Sequence, residues 1–418
     1  MHAQTTLQAP GGAPGQSAAQ SAGTAMDTPM ATPMGQSMTV NTSPAQSISQ
    51  PFSPVSSTPL ENERQGLTFR ARAGIERDSN VLRTNAAQIS DTISQLGVGL
   101  RYNQRFSQQR VVVDAEVNHF DYDKINTTYN TLNYAAAWYW RLGNQFEGIA
   151  SADRRQFRDL TAGTTGIVNR RTERNELFEG GYRLGAAWKV LAGVQHTQST
   201  STDLNSWDGN PSVDSVRVGT SYEFPSGSLA TLRYRYGDGS FQSAAATDFK
   251  DNEVEGRFNW VLTPKTALDL RLAHLKRDHD GTPGRDFSGM IGGATVNWEA
   301  TAKTRLMAGV ARDLGSYIVG TTGHTSSDRW FIGPVYRPTV QTGVTLRYEQ
   351  ERRHWDGVTG TADAGRTDKF DVLALGLDWQ PRRWLGVAAQ WRNEKRDSSL
   401  PGFNYRANVI GLSAKLTI

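Results

Sequence analysis

The chain has no cysteine among its 418 residues, so no disulfide can form, a composition that suits passage through an oxidising periplasm. It also lacks any apolar run of about 18 residues, which excludes a membrane-spanning helix. The nearly continuous apolar strands that a soluble sandwich of this size would bury are almost missing too. Charge is not of one sign: 45 Lys and Arg stand against 41 Asp and Glu, a net charge of +4. No basic stripe is interleaved with aromatics, so nucleic acid is not an expected partner.

What is present is one hairpin written repeatedly. In NWVLTPKTALDLRLAH, Trp260 closes an alternating strand, Thr263, Pro264 and Lys265 make a turn, and Leu268, Leu270 and Leu272 mark alternate positions on the next strand. An aromatic holds the same place at Tyr102, Trp140, Trp188, Tyr222, Trp260, Trp298, Tyr336 and Trp379, and four of the seven intervals are 38 residues long. A period near 40 raises the possibility of propellers and solenoids, but no blade signature or helical half-repeat accompanies it. Strands that alternate everywhere, with a strongly polar second face, predict an all-β fold: a transmembrane antiparallel β-barrel with a wet interior.

Residues 1–63 are rich in Ser, Thr, Gln, Ala, Pro and Gly, with almost no charge before Glu61. Such a segment offers too little apolar surface to offset its ordering entropy, so it is expected to be a disordered periplasmic arm. Met26, Met30, Met34 and Met38 recur within it at every fourth position, the pattern of a low-complexity repeat rather than a soft-metal site. The start MHAQTTLQAP reads as a mature N-terminus whose leader has been removed.

The barrel is expected to fill residues 64–418. Strands are predicted near 66–76, 91–103, 109–121, 130–142, 146–156, 176–189, 191–200, 213–224, 228–237, 250–262, 266–277, 286–299, 303–314, 327–337, 341–353, 368–380, 384–396 and 404–418. These are eighteen strands joined by eight short turns and nine long loops, with both ends of the barrel on one side. By the usual orientation the turns and termini are periplasmic, the loops are extracellular and the repeated aromatics form a girdle in the outer membrane of a Gram-negative bacterium. Strands tilted and spaced in the usual way would leave a bore on the order of 15 Å. The last strand, ANVIGLSAKLTI, alternates to the terminus, with Ile418 where an aromatic is more usual in barrels of this kind.

Parity assigns a set of charged residues to the pore: Arg70, Arg72, Arg101, Asp114, Glu116, Arg141, Asp153, Arg155, Arg183, Arg217, Glu223, Arg233, Arg235, Glu253, Glu255, Arg257, Asp269, Arg271, Arg347, Glu349, Asp378 and Arg392. Both signs are interspersed, so cross-strand ion pairs should order the wall, which could exchange hydrogen bonds with a passing hydroxylated chain. The stretch from Arg154 to Arg174 reads as the longest and most basic loop. Arg158, Arg170, Arg171 and Arg174 are its constriction candidates, and Arg154 is assigned to the outer rim near anionic head groups. His119, His196 and His274 fall near strand ends, whereas His279, His324 and His354 fall in predicted loops. Glu253 and Glu255 share a face as any i, i+2 pair would, and no serine has the spacing of a barrel lipase. Asp278, His279 and Asp280 are more readily read as a solvated loop than as a cation site. The sequence therefore points to a channel with no cofactor, no metal and no catalytic constellation.

Three segments resemble a known family: RDSNVLR (Arg77 to Arg83), SDTISQLGVGLRYNQRFSQQR (Ser90 to Arg110), and NHFDY followed by YNTLNYAAAWYWRLG (Tyr129 to Gly143). With the repeated W-x-x-x-x-x-T turns, they are similar to the exosortase-associated outer-membrane barrels of exopolysaccharide operons, the EpsL type. The resemblance implies export of a secreted polysaccharide across the outer membrane, alongside a periplasmic polysaccharide-export protein. Outer-membrane lipid, lipopolysaccharide and the polysaccharide chain would be the other partners. The residues themselves leave two alternatives: a diffusion porin for small solutes and, more distantly, a barrel enzyme acting on lipid or glycan.

Overall fold

The computed structural model describes residues 65–158, 168–202, 209–242 and 248–418. The expected disordered arm and its four methionines lie outside the described residues. Eighteen antiparallel strands follow one another in chain order. The first nine are β1 (Gly66–Asp78), β2 (Asp91–Phe106), β3 (Gln109–Tyr122), β4 (Thr127–Leu142), β5 (Phe146–Arg158), β6 (Arg170–Leu184), β7 (Trp188–Ser201), β8 (Pro211–Glu223) and β9 (Leu229–Phe241). The rest are β10 (Phe249–Thr263), β11 (Thr266–His279), β12 (Phe287–Thr301), β13 (Thr304–Ser316), β14 (Thr322–Thr339), β15 (Thr342–Thr359), β16 (Thr367–Arg382), β17 (Leu385–Ser398) and β18 (Tyr405–Thr417). Each pairs with its neighbours, and β1 pairs with both β2 and β18, so the sheet closes into a barrel with no free edge.

Alternation explains why these residues form strands, and the exposure pattern explains which solvent each face meets. On β1, Leu67 and Phe69 are 50% and 54% exposed, whereas Arg70 between them and Ala71 is 8% exposed. Apolar residues outside and charged residues inside invert a soluble core, and that inversion is what a lipid-facing barrel requires.

The turns repeat a local chemistry. The backbone N–H of Lys265 donates to Thr263 Oγ1 at 3.2 Å, that of Lys303 to Thr301 Oγ1 at 3.1 Å, and that of Gln341 to Thr339 Oγ1 at 3.2 Å. A threonine hydroxyl thus closes each two-residue turn. Just before these turns the ladder slips, between Val261 and Thr263, Trp298 and Thr301, and Tyr336 and Thr339. The same slip falls between Trp379 and Arg382. In each case it sits at or next to the recurring aromatic.

Strands run 13 to 18 residues, longer than the roughly 9–11 that cross a bilayer. The excess lies at the loop end, where outward positions turn polar, as in the pairs His119–Asn130 (2.8 Å), Lys276–Asp278 (2.9 Å) and Arg312–Asp328 (3.5 Å). The extra length also moves three histidines. His279 ends β11, His324 lies in β14 and His354 in β15, not in the loops expected for them. The apolar alternation stops there, but backbone pairing continues above it.

The interior is not polar throughout. Val81, Ile93, Tyr122 and Val168 pack together at the loop end, as do Tyr317, Trp355 and Val358. Val112, Ala137, Ile149 and Leu177 form an apolar patch on the inner wall nearer the turns.

Candidate functional site: a charged interior

Strand register brings the inner charges together. Glu253 stands opposite Arg235, Glu255 opposite Arg233, and Asp251 opposite Arg277. Glu253 accepts from Arg235 and from Arg271, both at 2.8 Å, and Glu255 meets Arg271 at 2.6 Å and Arg257 at 2.7 Å. Asp251 is held by two nitrogens of Arg277 at 2.7 and 2.8 Å. All three carboxylates are buried. Each is therefore stabilised by charge-assisted hydrogen bonds rather than by water.

The same arrangement recurs around the wall. Glu147 accepts from Lys189 (2.7 Å), Arg183 (2.8 Å) and Arg141 (3.1 Å), and Glu179 accepts from Arg233 (2.9 Å) and lies 3.3 Å from Arg217. Asp114 pairs with Arg70 and lies 4.0 Å from Arg101, while Arg347 meets Glu349 at 2.6 Å and Arg392 meets Glu394 at 2.5 Å. Asp153 accepts from Asn175 at 3.0 Å, Arg155 pairs with Glu173, Asp269 accepts from Asn259, and Glu223 lies 3.8 Å from Lys189. Arg72, Glu116 and Asp378 share the inward face, with Arg72 directly opposite Lys415. The sequence-predicted pore residues thus all lie on the inward parity.

These pairs have a direction. The guanidinium is the more exposed member in Arg141–Glu147 (38% against 8%), Arg183–Glu147 (22% against 8%) and Arg101–Asp114 (11% against 1%). Arg155–Glu173, Arg347–Glu349 and Arg392–Glu394 follow the same order. It reverses where Lys189 meets Glu147 and Glu223, and in Arg171–Glu173, Arg353–Glu351 and Arg366–Asp363. The arginine is thus the more exposed member of several pairs, whereas around Glu179 and Glu253 both members are buried.

Most of the basic stretch that reads as a loop is strand, and among the described residues a different connection folds inward. Arg154, Arg155 and Arg158 lie in β5, and Arg170, Arg171 and Arg174 lie in β6. The segment between strands is 159–169, of which 159–167 lie outside the described residues; the connection 79–90 is one residue longer. The basic stretch looked like a loop because its charges interrupt the apolar pattern, yet β5 and β6 pair as far as Arg158 opposite Arg170. The four constriction candidates are scattered. Arg158 points inside, Arg170 lies over the Tyr129 ring at 5.1 Å, Arg171 is buried and Arg174 is exposed outside.

The β1–β2 connection turns into the mouth. Asn80, Val81 and Arg83 are buried. Arg83 donates to Asp78 at 2.7 and 2.8 Å and to Glu394 on β17 at 2.7 Å, and Arg158 reaches the Val81 carbonyl and Asp78. Burial alone would lower the pKa of Arg83, but Glu394 and Asp78 outweigh it and hold the guanidinium firmly protonated. Parity could have found Asp251, Arg277, Glu147 and Glu394. Nothing local signals the pairing of Arg83 with Glu394, which lies 311 residues away.

The stretch from Asp278 to Asp280, read from sequence as a solvated loop, begins within β11. Asp278 points outward to Lys276, while His279 points inward and contacts Ser316 at 3.2 Å, so alternation places them on opposite faces. Among the described residues no group of histidines and carboxylates could hold a metal ion. The eight recurring aromatics lie beside the short turns on the outward parity, but Trp188 does not share the place expected for it: the turn predicted near residue 190 falls at 185–187, so Trp188 opens β7 and does not close β6. Of these, Trp188, Trp260, Trp298, Tyr336 and Trp379 are exposed.

A closed, even-stranded antiparallel barrel with an apolar outer belt and an ion-paired interior is the build of bacterial outer-membrane proteins, and the chain is an outer-membrane β-barrel of this class. A family model described as "Putative beta-barrel porin 2" matches residues 284–418. No curated protein sequence matches the chain. Among solved structures, it is similar to Pseudomonas aeruginosa OpdK with vanillate, at 11% identity and TM-score 0.49 over 84% of this chain and 99% of that one. It is also similar to Pseudomonas aeruginosa OpdL (14%, 0.48, 84% and 98%) and Acinetobacter baumannii OccAB4 (10%, 0.48, 86% and 100%). Likenesses at this level assign neither substrate nor partner to this chain.

Proposed function

We propose that the protein is a passive outer-membrane channel for small solutes with a preference for anions. The observation that carries this reading is the direction of three ion pairs on the wall, in which buried carboxylates hold the more exposed guanidiniums of Arg101, Arg141 and Arg183. An anion can exchange hydrogen bonds with such a surface, while the carboxylates behind it keep the arginines in place. The inward fold of 79–90 narrows the mouth, which favours small solutes over a hydrated polymer. The porin-type family match at 284–418 supports the same choice. The segments that resemble the polysaccharide-export family, within 77–143, lie outside that match.

In the proposed orientation the short turns and both termini are periplasmic and the loops are extracellular. The test is a planar-bilayer recording in a potassium chloride gradient. Open-channel steps with a reversal potential set by chloride are expected; a cation-selective or electrically silent protein would refute the proposal. Deletion of the protein should slow uptake of small anions and leave surface polysaccharide intact. Loss of polymer with normal uptake would instead establish the export route.

A further inference from the structure

The lipid-facing surface carries a groove independent of the lumen. Outward residues of β3 to β9 enclose about 870 Å³, within the range of about 300–1,000 Å³ usual for ligand pockets. The cause is β5, whose outward positions read Phe146, Gly148, Ala150, Ala152 and Arg154. Ala136, Ala150 and Ala152 make a low floor between walls that include Trp138, Phe178 and Val216. At the turn end the groove is stopped by Trp140. Its ring lies across Gly148 and Gly180, so that a Cβ on Gly148 would come within 2.4 Å of it, and it stacks on Phe178 at 6.1 Å.

At the loop end, one outward position above Ala152 and Glu176, stand Arg154 and Arg174. They are direct cross-strand partners, both on the outer face. Like charges opposed across a ladder repel. Among the described residues neither is paired with a carboxylate: Arg154 donates to the Leu132 carbonyl instead. Glu176 and the His196–Asp214 pair (2.7 Å) line the same end of the groove and offer acceptors for hydroxyls.

We propose that this groove binds one molecule of a phosphate-bearing acylated lipid. Its acyl chains lie over Ala150 and Ala152, and its phosphate bridges Arg154 and Arg174. The groove opens to hydrocarbon and its walls are apolar, so a chain fits where a free ion would not. Two opposed guanidinium forks match the oxygen geometry of phosphate and remove their own repulsion by binding it.

The test titrates the detergent-purified full chain with bisphosphorylated lipid A and counts bound copies by native mass spectrometry. Phosphatidylcholine and inorganic phosphate serve as comparison ligands. One tightly held lipid A is expected. It should be weakened about tenfold in the Arg154→Gln, Arg174→Gln double variant, the size of one charge-assisted hydrogen bond. Ala152→Leu, which fills the floor, should weaken it as well, and Ala73→Leu on the outer face of β1 should not. Equal binding by wild type and the double variant overturns the proposal. So does lipid A binding no tighter than phosphatidylcholine, or inorganic phosphate competing as well as the intact lipid. Channel conductance enters none of these readouts, so the site stands or falls apart from the proposed transport function.

Discussion

The two ends of the barrel are held by different physics. At the turn end the hairpins are closed locally: at Thr263, Thr301 and Thr339 a hydroxyl caps a two-residue turn, the ladder slips once, and an aromatic sits outside. At the loop end the contacts are distant. Arg366 lies over Trp355 at 4.3 Å and Phe403 at 4.1 Å, and Arg396 and Arg366 share Asp368. Arg285 donates to the Ile318 and Gly320 carbonyls of the next loop. The first end is many small independent pieces, so losing one costs little. The second is a network of buried charges, in which one loss leaves several groups uncompensated.

The sharpest way to break that contrast is Glu253→Ala, which removes the carboxylate shared by Arg235 and Arg271 and leaves Arg235 only Asp251 at 3.4 Å. It should cost about 3–5 kcal/mol of stability, measured as the urea midpoint of barrel unfolding. A loss no larger than that of a turn variant would mean the network does not act as a unit. Next comes Arg83→Ala, which removes the bridge between Asp78 and Glu394, leaving them to Arg158 and Arg392, and frees the inward loop. A cost of roughly 1–3 kcal/mol should accompany a larger single-channel conductance. Unchanged conductance would place 79–90 off the permeation path.

Thr263→Ala, Thr301→Ala and Thr339→Ala should each cost only about 0.5–1.5 kcal/mol, and additively, because each hydroxyl serves its own turn. Additivity of the triple variant in the same urea assay is the check. The smallest effect is a pH dependence confined to the loop end. Burial, and then its 2.5 Å hydrogen bond to Asp363, raise the pKa of the Tyr317 hydroxyl. A raised folded-state pKa means its contribution is complete below the ordinary tyrosine value near 10 and is lost above it. Proteolysis of the loops should therefore accelerate above about pH 10 in wild type, and less in Tyr317→Phe.

This contrast also marks what was legible in the sequence. Strand number, turn positions and the inner parity of residues such as Glu253 and Arg271 follow from alternation, because a lipid-facing strand must keep a period of two. Above the apolar belt that constraint lapses. There β11, β14 and β15 continue with polar residues on both faces, so His279, His324 and His354 looked like loop residues. The basic stretch from Arg154 to Arg174 reads as a loop for a related reason, although most of it is strand. Charge density in one stretch is visible in sequence, whereas a salt bridge from a loop arginine to Glu394 is a property of closure.

Closure has a consequence of its own. The seam pairs Arg70 with Thr417 and Asp78 with Val409, and Phe69 and Ile418 exchange both of their backbone hydrogen bonds. Every other ladder joins strands that are adjacent in the chain. The contacts of largest sequence separation therefore fall on the one ladder that joins the two terminal strands, and loop-closure entropy opposes it more than any other. Until it forms, β1 and β18 each present a raw row of unpaired amides and carbonyls. The first strand to be synthesised must wait for the last, and the growing sheet carries two adhesive edges throughout that interval.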